Sequence, residues 1–188
     1  MTSVLVDEIE SSVVDAADHL LRTTGFCPPP SVHILAEDID QPYVGFVSCR
    51  PFYRGADAAA AITDLGLLPS VLAATRLVVT WEDCDLRTAL QVPGDTFPTA
   101  IVPLEADRTD HTLFWHPFDA QPGPRSEVGV PTLQPHWHQS VRYTNPQLLE
   151  PVAALLGLWR QVQRDDVERT ASDLQRAGYT IRWANRTT

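Results

Sequence analysis

Two histidines, His136 and His138, are separated by a single residue and could bind a metal ion together. Side chains two residues apart on a β-strand project from the same face, so this spacing places two imidazoles side by side. Imidazole is a common ligand of zinc and of iron, and an open coordination position on either metal supports hydrolysis or oxidation. One alternative function is therefore a Zn- or Fe-dependent hydrolase or oxidase, with His116 as the preferred third ligand. Other candidates for the third ligand are His111, Asp110 and Glu127.

The same segment supports a second interpretation, in which its rings form an interaction surface. Trp115, His116, Trp137 and His138 would then lie on an exposed rim that contacts a second copy of the chain or another protein. Aromatic side chains are enriched at the centres of protein interfaces. No acid occurs among residues 139–143, so the metal-binding pattern is incomplete on that side. Both interpretations remain open at the level of the sequence.

A second group of reactive side chains follows two apolar segments, 43–49 and 76–82, that are typical of buried strands. A helix predicted over 56–74, as one piece or as two pieces broken near Gly66 and Pro69, connects them. A strand, a helix and a strand in succession favour two parallel neighbours in one sheet. The carboxyl ends of parallel strands share one edge of the sheet, and open α/β sheets bind their ligands at that edge.

The residues expected at this edge are Arg50, Tyr53 and Arg54 after the first strand, and Glu82 and Asp85 at the end of the second. Guanidinium groups bind phosphates and carboxylates with two parallel hydrogen bonds, so the arrangement predicts a site for a small anionic ligand as a further alternative function. The other interpretation is structural, because the same arginines could pair with Glu82 or Asp85 and tie two loops together.

The helices and strands that position these groups are predicted from the spacing of apolar residues and from the glycines and prolines that end each element. Helices are predicted over 3–23, 56–74, 86–90, 146–163 and 165–177, with Asn145 as an N-cap and Gly178 as a C-cap. Strands are predicted over 32–37, 43–49, 76–82, 99–104, 112–116, 136–143 and 179–183. Residues 117–135 contain five prolines and are predicted to form a long irregular loop. The expected fold is a single α+β or α/β domain spanning 1–188, with a mixed sheet of about five to seven strands flanked by an N-terminal helix, a crossover helix and two C-terminal helices.

Composition excludes several function classes. The chain of 188 residues has a net charge of −10, which disfavours direct nucleic-acid binding. All 14 basic residues are arginine, so Schiff-base chemistry on an internal lysine is excluded. No apolar run approaches the ~20 residues of a membrane span, and no secretory signal begins the chain, so we expect a cytoplasmic protein without a membrane partner. The cysteines, Cys27, Cys49 and Cys84, are expected to be reduced and buried.

No standard catalytic motif is present, and the first expectation is an acidic binding or protein-interaction domain that associates with itself or with another protein.

Overall fold

A computed structural model of the chain describes residues 4–37, 40–126, 129–161, 163 and 165–184. The strands are β1 (Ser31–Leu35), β2 (Tyr43–Ser48), β3 (Arg76–Glu82), β4 (Ala100–Ala106), β5 (His111–Arg125), β6 (Pro131–Trp137), β7 (Val141–Thr144) and β8 (Thr180–Trp183). The helices are α1 (Val4–Thr24), α2 (Ala56–Asp64), α3 (Leu67–Val71), α4 (Asp83–Ala89), α5 (Glu150–Arg160) and α6 (Val167–Arg176).

All eight strands join one sheet in the order β6-β5-β4-β3-β1-β2-β8, and β7 pairs with β5. Each pairing within the described ranges is antiparallel. The fold is therefore α+β, which confirms the predicted class. The sheet has more strands than expected, and its neighbouring strands are antiparallel rather than mixed.

The predicted parallel neighbours do run in the same direction, but they are not neighbours. β1 lies between β2 and β3 and pairs antiparallel with both. The α2 and α3 helices, separated near Gly66, connect β2 to β3 across this inserted strand. The sequence does not predict the central position of β1. Its polar residues Ser31 and His33 alternate with apolar residues, a pattern typical of a half-exposed strand rather than a central one.

The sheet is covered by helices on both faces. On one face α1 packs against β3, β4 and β6, with a buried stripe that follows the helical period. The stripe consists of Val6, Ile9, Val13, Ala17 and Leu21. On the other face, α2, α3, α5 and α6 contribute to the larger core. Among the helices that the structure describes, none combines the length and the apolar character needed to cross a bilayer.

Residues 117–135 are not the irregular loop that their composition predicts. Apart from residues 127 and 128, which lie outside the described part, most of this segment forms a hairpin of β5 and β6. Beyond Phe118, β5 pairs only with β6 in the described part of the chain, so each strand has one free backbone edge. A proline is tolerated in a strand where its missing N–H would point to a free edge. The prolines on these one-sided stretches are Pro122, Pro124, Pro131 and Pro135. Pro117 instead lies between β4 and β6, opposite Ala100, and its carbonyl accepts a hydrogen bond from the backbone N–H of His138 (2.9 Å).

The helix predicted over 146–163 begins at Glu150 and is not capped by Asn145. Asn145 instead adopts a positive φ of 48°. Its Oδ1 accepts a hydrogen bond from the His111 backbone N–H (2.8 Å), and its Nδ2 donates to Asp110 (3.0 Å). Asparagine tolerates this left-handed conformation, so it terminates β7 against the start of β5 rather than initiating a helix.

Candidate functional site

The carboxyl ends of β2 and β3 border a cleft of about 460 Å³. Ser31, at the start of β1, is in register with Ser48 on one side and with Thr80 on the other. The Pro28–Pro30 segment therefore enters the sheet between the two strand ends, and the carbonyl of Pro30 accepts a hydrogen bond from the backbone N–H of Cys49 (2.7 Å). We call this space the strand-end cleft. It lies at the edge that the sequence predicts, with three prolines in place of direct contact between the strands.

The walls of the strand-end cleft are largely apolar. They combine the rigid rings of Pro28–Pro30 and Pro51 with the side chains of Phe52 and Leu86. The thiols of Cys27 and Cys49 also line it, as do three charged residues, Arg50, Glu82 and Asp85. Its volume falls within the range of roughly 300–1,000 Å³ that is usual for small-molecule pockets. The cleft therefore has the size and the mixed lining of a ligand site.

Arg50 is paired with Asp57 near the start of α2, not with Glu82 or Asp85. Its Nη2 donates to Oδ1 of Asp57 (2.6 Å) and its Nη1 to Oδ2 (3.3 Å). The hydrogen bonds lower the pKa of Asp57 and raise that of Arg50. Arg50 also donates to the carbonyl of Pro51 (3.0 Å). The predicted tie between the two strand ends is thus replaced by a local pair, which neutralises Arg50.

Tyr53 and Arg54 do not line the strand-end cleft. The Tyr53 side chain is 86% exposed, and its backbone N–H donates to Oδ2 of Asp57 (2.7 Å). Arg54 is exposed as well. Both residues precede α2 on the solvent side, so of the five predicted ligand-binding residues the structure brings together Arg50, Glu82 and Asp85.

Glu82 is buried and caps α4. Its carboxylate accepts hydrogen bonds from the backbone N–H groups of Cys84 (3.1 Å), Asp85 (2.5 Å) and Ala100 (3.1 Å). Burial raises the pKa of Glu82, the amide hydrogen bonds oppose this shift, and the nearby charge of Asp85 adds to it. Three amide donors fix the carboxylate in place, so Glu82 holds β3, α4 and β4 together at one side of the cleft.

Asp85 differs from Glu82 because it is exposed at the rim of the cleft, and its carboxylate has no hydrogen-bond or ion-pair partner in the described ranges. Desolvation raises its pKa. The cleft also raises the pKa of the Cys27 thiol to about 12, through burial first and through the charges of Glu82 and Asp85 second. Burial likewise raises the pKa of Cys49 to about 12, and its Sγ donates to the carbonyl of Ala61 (3.5 Å). Both thiols are therefore protonated at neutral pH and are poor nucleophiles.

His116 contacts α1 rather than the other predicted metal ligands. It shares its sheet face with its β4 partner Ile101, which packs against α1. Its Nε2 lies 2.9 Å from Oε1 of Glu10. Both residues border a cavity of about 600 Å³. Arg142 also lines that cavity and lies 3.4 Å from Glu10 and 3.6 Å from Asp7.

His136 and His138 lie on the opposite face of the sheet. His136 is in register with Asp119, three positions along β5 from His116, so the alternation of a strand turns it away from α1. The rings of His136 and His138 are 5.3 Å apart and nearly perpendicular. Nε2 of His138 lies 2.8 Å from Oδ2 of Asp119. The three histidines predicted to share a metal are thus divided between two faces.

Within the described residues, no group of three or more His, Cys, Asp or Glu side chains is arranged to hold a metal ion. The other candidate ligands are engaged elsewhere or lie outside the described residues. Nε2 of His111 lies 2.9 Å from the carbonyl of Pro146, and Asp110 accepts from Asn145. Glu127 lies outside the residues that the structure describes.

The predicted aromatic rim is divided in the same way. Trp137 turns towards α1, where its indole N–H donates to Oδ1 of Asp18 (2.9 Å) and its ring lies 4.9 Å from that of Phe118. Trp115 alternates with His116 and packs at the margin of the core on the other face. The four residues of the predicted rim therefore do not form one surface.

Several residues of the strand-end cleft carry no signal in the sequence. Cys27, Phe52 and Leu86 look like ordinary apolar residues, and only the triproline run indicates a rigid segment. The contact of His116 with Glu10 joins residues 106 positions apart, and no local pattern predicts it.

Comparison of the chain with models of protein families, with curated proteins and with solved structures found no match.

Proposed function

We propose that this chain is a non-catalytic small-molecule binding domain and that the strand-end cleft is its site. The observation that carries the proposal is the cleft of about 460 Å³ with apolar walls and a few charged side chains. Ligand pockets typically combine a concave apolar surface with a small number of polar groups that orient the ligand. The rigid Pro28–Pro30 and Pro51 rings favour a preformed site, because little conformational entropy is lost when a ligand binds.

The chemistry of the lining supports binding rather than catalysis. The described lining residues include no histidine that could act as a base beside a thiol. Cys27 and Cys49 are held in the thiol form by their raised pKa values of about 12. Glu82 is committed to three backbone amides.

We also assign the domain to the cytoplasm, and the free thiols of Cys27, Cys49 and Cys84 support a reducing compartment.

A thermal-shift screen of small organic fragments, followed by NMR, tests the proposal. A fragment that binds only the folded chain raises the melting temperature. We expect such fragments to perturb the backbone amides of Cys27, Cys49 and Phe52, and we expect the space-filling variant Cys27→Phe to abolish the shifts. Ser11→Phe, which fills the separate cavity beside His116, is the matched control and should leave them unchanged. Failure of any fragment to bind, or binding that maps away from the cleft, would contradict the proposal.

A second candidate function is self-association through β7. All four residues of this strand are exposed, and two of them, Val141 (43%) and Tyr143 (47%), are large apolar side chains. In the described part of the chain, β7 pairs only with β5, so its other edge is free to pair with a second copy. Sedimentation velocity tests this candidate. Tyr143→Glu should convert a dimer into a monomer, whereas the exposed control Tyr53→Glu should not; a monomeric parent protein would exclude it.

A further inference from the structure

The charges around the strand-end cleft indicate which ligands it can accept. Arg50 is the cation among its described lining residues, and its charge is offset by the carboxylate of Asp57, to which it donates two hydrogen bonds. The carboxylates of Glu82 and Asp85 remain, so the net charge facing the cleft is negative. A phosphate or carboxylate ligand would meet this negative charge and would have to displace Asp57 from Arg50. The site predicted for an anion therefore disfavours anions.

The two carboxylates are not equivalent towards a ligand. Glu82 is already satisfied by three amide donors. Asp85 has no such donor among the described residues; it lies at the exposed rim of the cleft, whose walls remove part of the water around its carboxyl. A carboxylate without a partner at the rim of an apolar cleft gains more from a positively charged hydrogen-bond donor than one that already accepts three hydrogen bonds. Asp85 is thus the group that would anchor a ligand.

We infer that the strand-end cleft binds an organic cation, namely an apolar body that carries one ammonium or guanidinium group paired with Asp85. This inference rests on the proposed function and gives it a ligand class. Phe52, Leu86 and the proline rings provide the surface for the apolar body. The cationic group replaces water at Asp85 and reduces the repulsion between the Asp85 and Glu82 carboxylates.

Three probes with closely similar bodies and different charges test the inference: 2-phenylethylamine, 2-phenylethanol and 3-phenylpropanoate. Titrations followed by NMR give a dissociation constant and a location for each probe. We expect the amine to bind about tenfold more tightly than the alcohol, and the carboxylate to bind most weakly. Asp85→Asn should remove the preference for the amine and leave alcohol binding within about twofold of the parent protein. Asp95→Asn, in a loop that borders a different cavity, should change neither constant.

The outcomes separate this inference from the proposed function. Binding of the alcohol or the carboxylate in the cleft as tightly as the amine would overturn the cationic ligand class and leave a small-molecule site in place. Amine binding that survives Asp85→Asn unchanged would also overturn it. If none of the three probes binds at millimolar concentration, the inference fails, while the fragment screen remains the independent test of the site. The melting temperature and circular dichroism of Asp85→Asn establish that the variant is folded.

Discussion

Nε2 of His116 lies 2.9 Å from Oε1 of Glu10, and this contact joins β5 to the first helix across 106 residues. Both side chains are largely buried, at 15% and 13% exposure. The histidine that the sequence offers as a metal ligand is therefore a structural link between α1 and the sheet.

This link should contribute measurably to stability. We expect Glu10→Gln and His116→Gln each to lower the free energy of unfolding by about 1–2 kcal/mol, because either change leaves a mostly buried polar group with a poorer partner. A double-mutant cycle by urea denaturation isolates the coupling between the two residues. The exposed neighbour Asp7 is the control, and Asp7→Asn should cost less than about 0.5 kcal/mol. Additive effects of the two single variants would contradict the link.

A partly buried histidine on β1, His33, should make the free energy of unfolding depend on pH. Burial lowers the pKa of His33 from 6.5 to about 4. The unfolded chain therefore binds a proton at a higher pH than the folded chain does. The contribution of neutral His33 to the free energy of unfolding is fully present above pH 6.5. It falls by about 3 kcal/mol as the pH decreases towards 4.

Comparison with His33→Phe isolates this effect, because phenylalanine keeps a ring beside Phe46 (ring centroids 5.5 Å apart in the parent protein) but does not titrate. The variant leaves the Tyr43 hydroxyl without its partner at Nδ1 (3.0 Å), a cost that does not change over this pH range. Urea titrations between pH 4 and 7 should show that the free energy of unfolding of the parent protein falls by about 3 kcal/mol relative to that of His33→Phe as the pH decreases. Parallel curves would show that His33 titrates alike in both states.

The Glu82 cap should be the most sensitive polar group of the strand-end cleft. Glu82→Gln retains the shape but turns one amide N–H₂ towards backbone donors, so we expect a loss of about 2–3 kcal/mol in the free energy of unfolding. Urea denaturation measures the change. Glu8→Gln, on the exposed side of α1, should stay within about 0.5 kcal/mol of the parent protein. A Glu82→Gln variant as stable as the Glu8→Gln control would argue against the capping role.

Two glycines should respond oppositely to alanine. Gly45 in β2 has a φ of +147°, and a Cβ there would lie 2.2 Å from the carbonyl oxygen of Arg182 in β8. Gly45→Ala should therefore weaken the pairing of β2 with β8 and cost about 2 kcal/mol or more. At Gly157 in α5, the described residues place no atom within 4 Å of a Cβ apart from the backbone of the helix itself. Gly157→Ala should stabilise the protein by about 0.5–1 kcal/mol, since alanine favours a helix. Thermal unfolding of both variants measures the contrast, and a shift of the same sign in both would refute it.

Local patterns predict much of this fold. The stripe from Val6 to Leu21 predicts α1 almost to the residue, because an amphipathic helix must place its apolar side chains on one face. The apolar run of β3 predicts a central strand, and β3 is buried on both faces. Both elements are specified by residues that are close together in the sequence.

The remaining features depend on distant partners. Ser31 and His33 suggest exposure, yet β1 is central because β2 and β3 both pair with it. The cleft contains Arg50, Glu82 and Asp85 as predicted, because the two strands end at the same edge. The pairing of Arg50 with Asp57, which offsets the positive charge expected to hold an anion, could not be predicted, since the sequence does not show which carboxylate the loop after β2 brings within reach of the guanidinium.

The contact of α1 with the β5–β6 hairpin has a consequence for synthesis of the chain. Asp18 and Trp137 are 119 residues apart, so α1 leaves the ribosome well before the hairpin that packs against it. Until then the part of its apolar stripe that packs against the hairpin faces water and is a target for chaperones or for aggregation. A nascent chain arrested before Trp137 should therefore be held by a chaperone, and release should coincide with emergence of the hairpin.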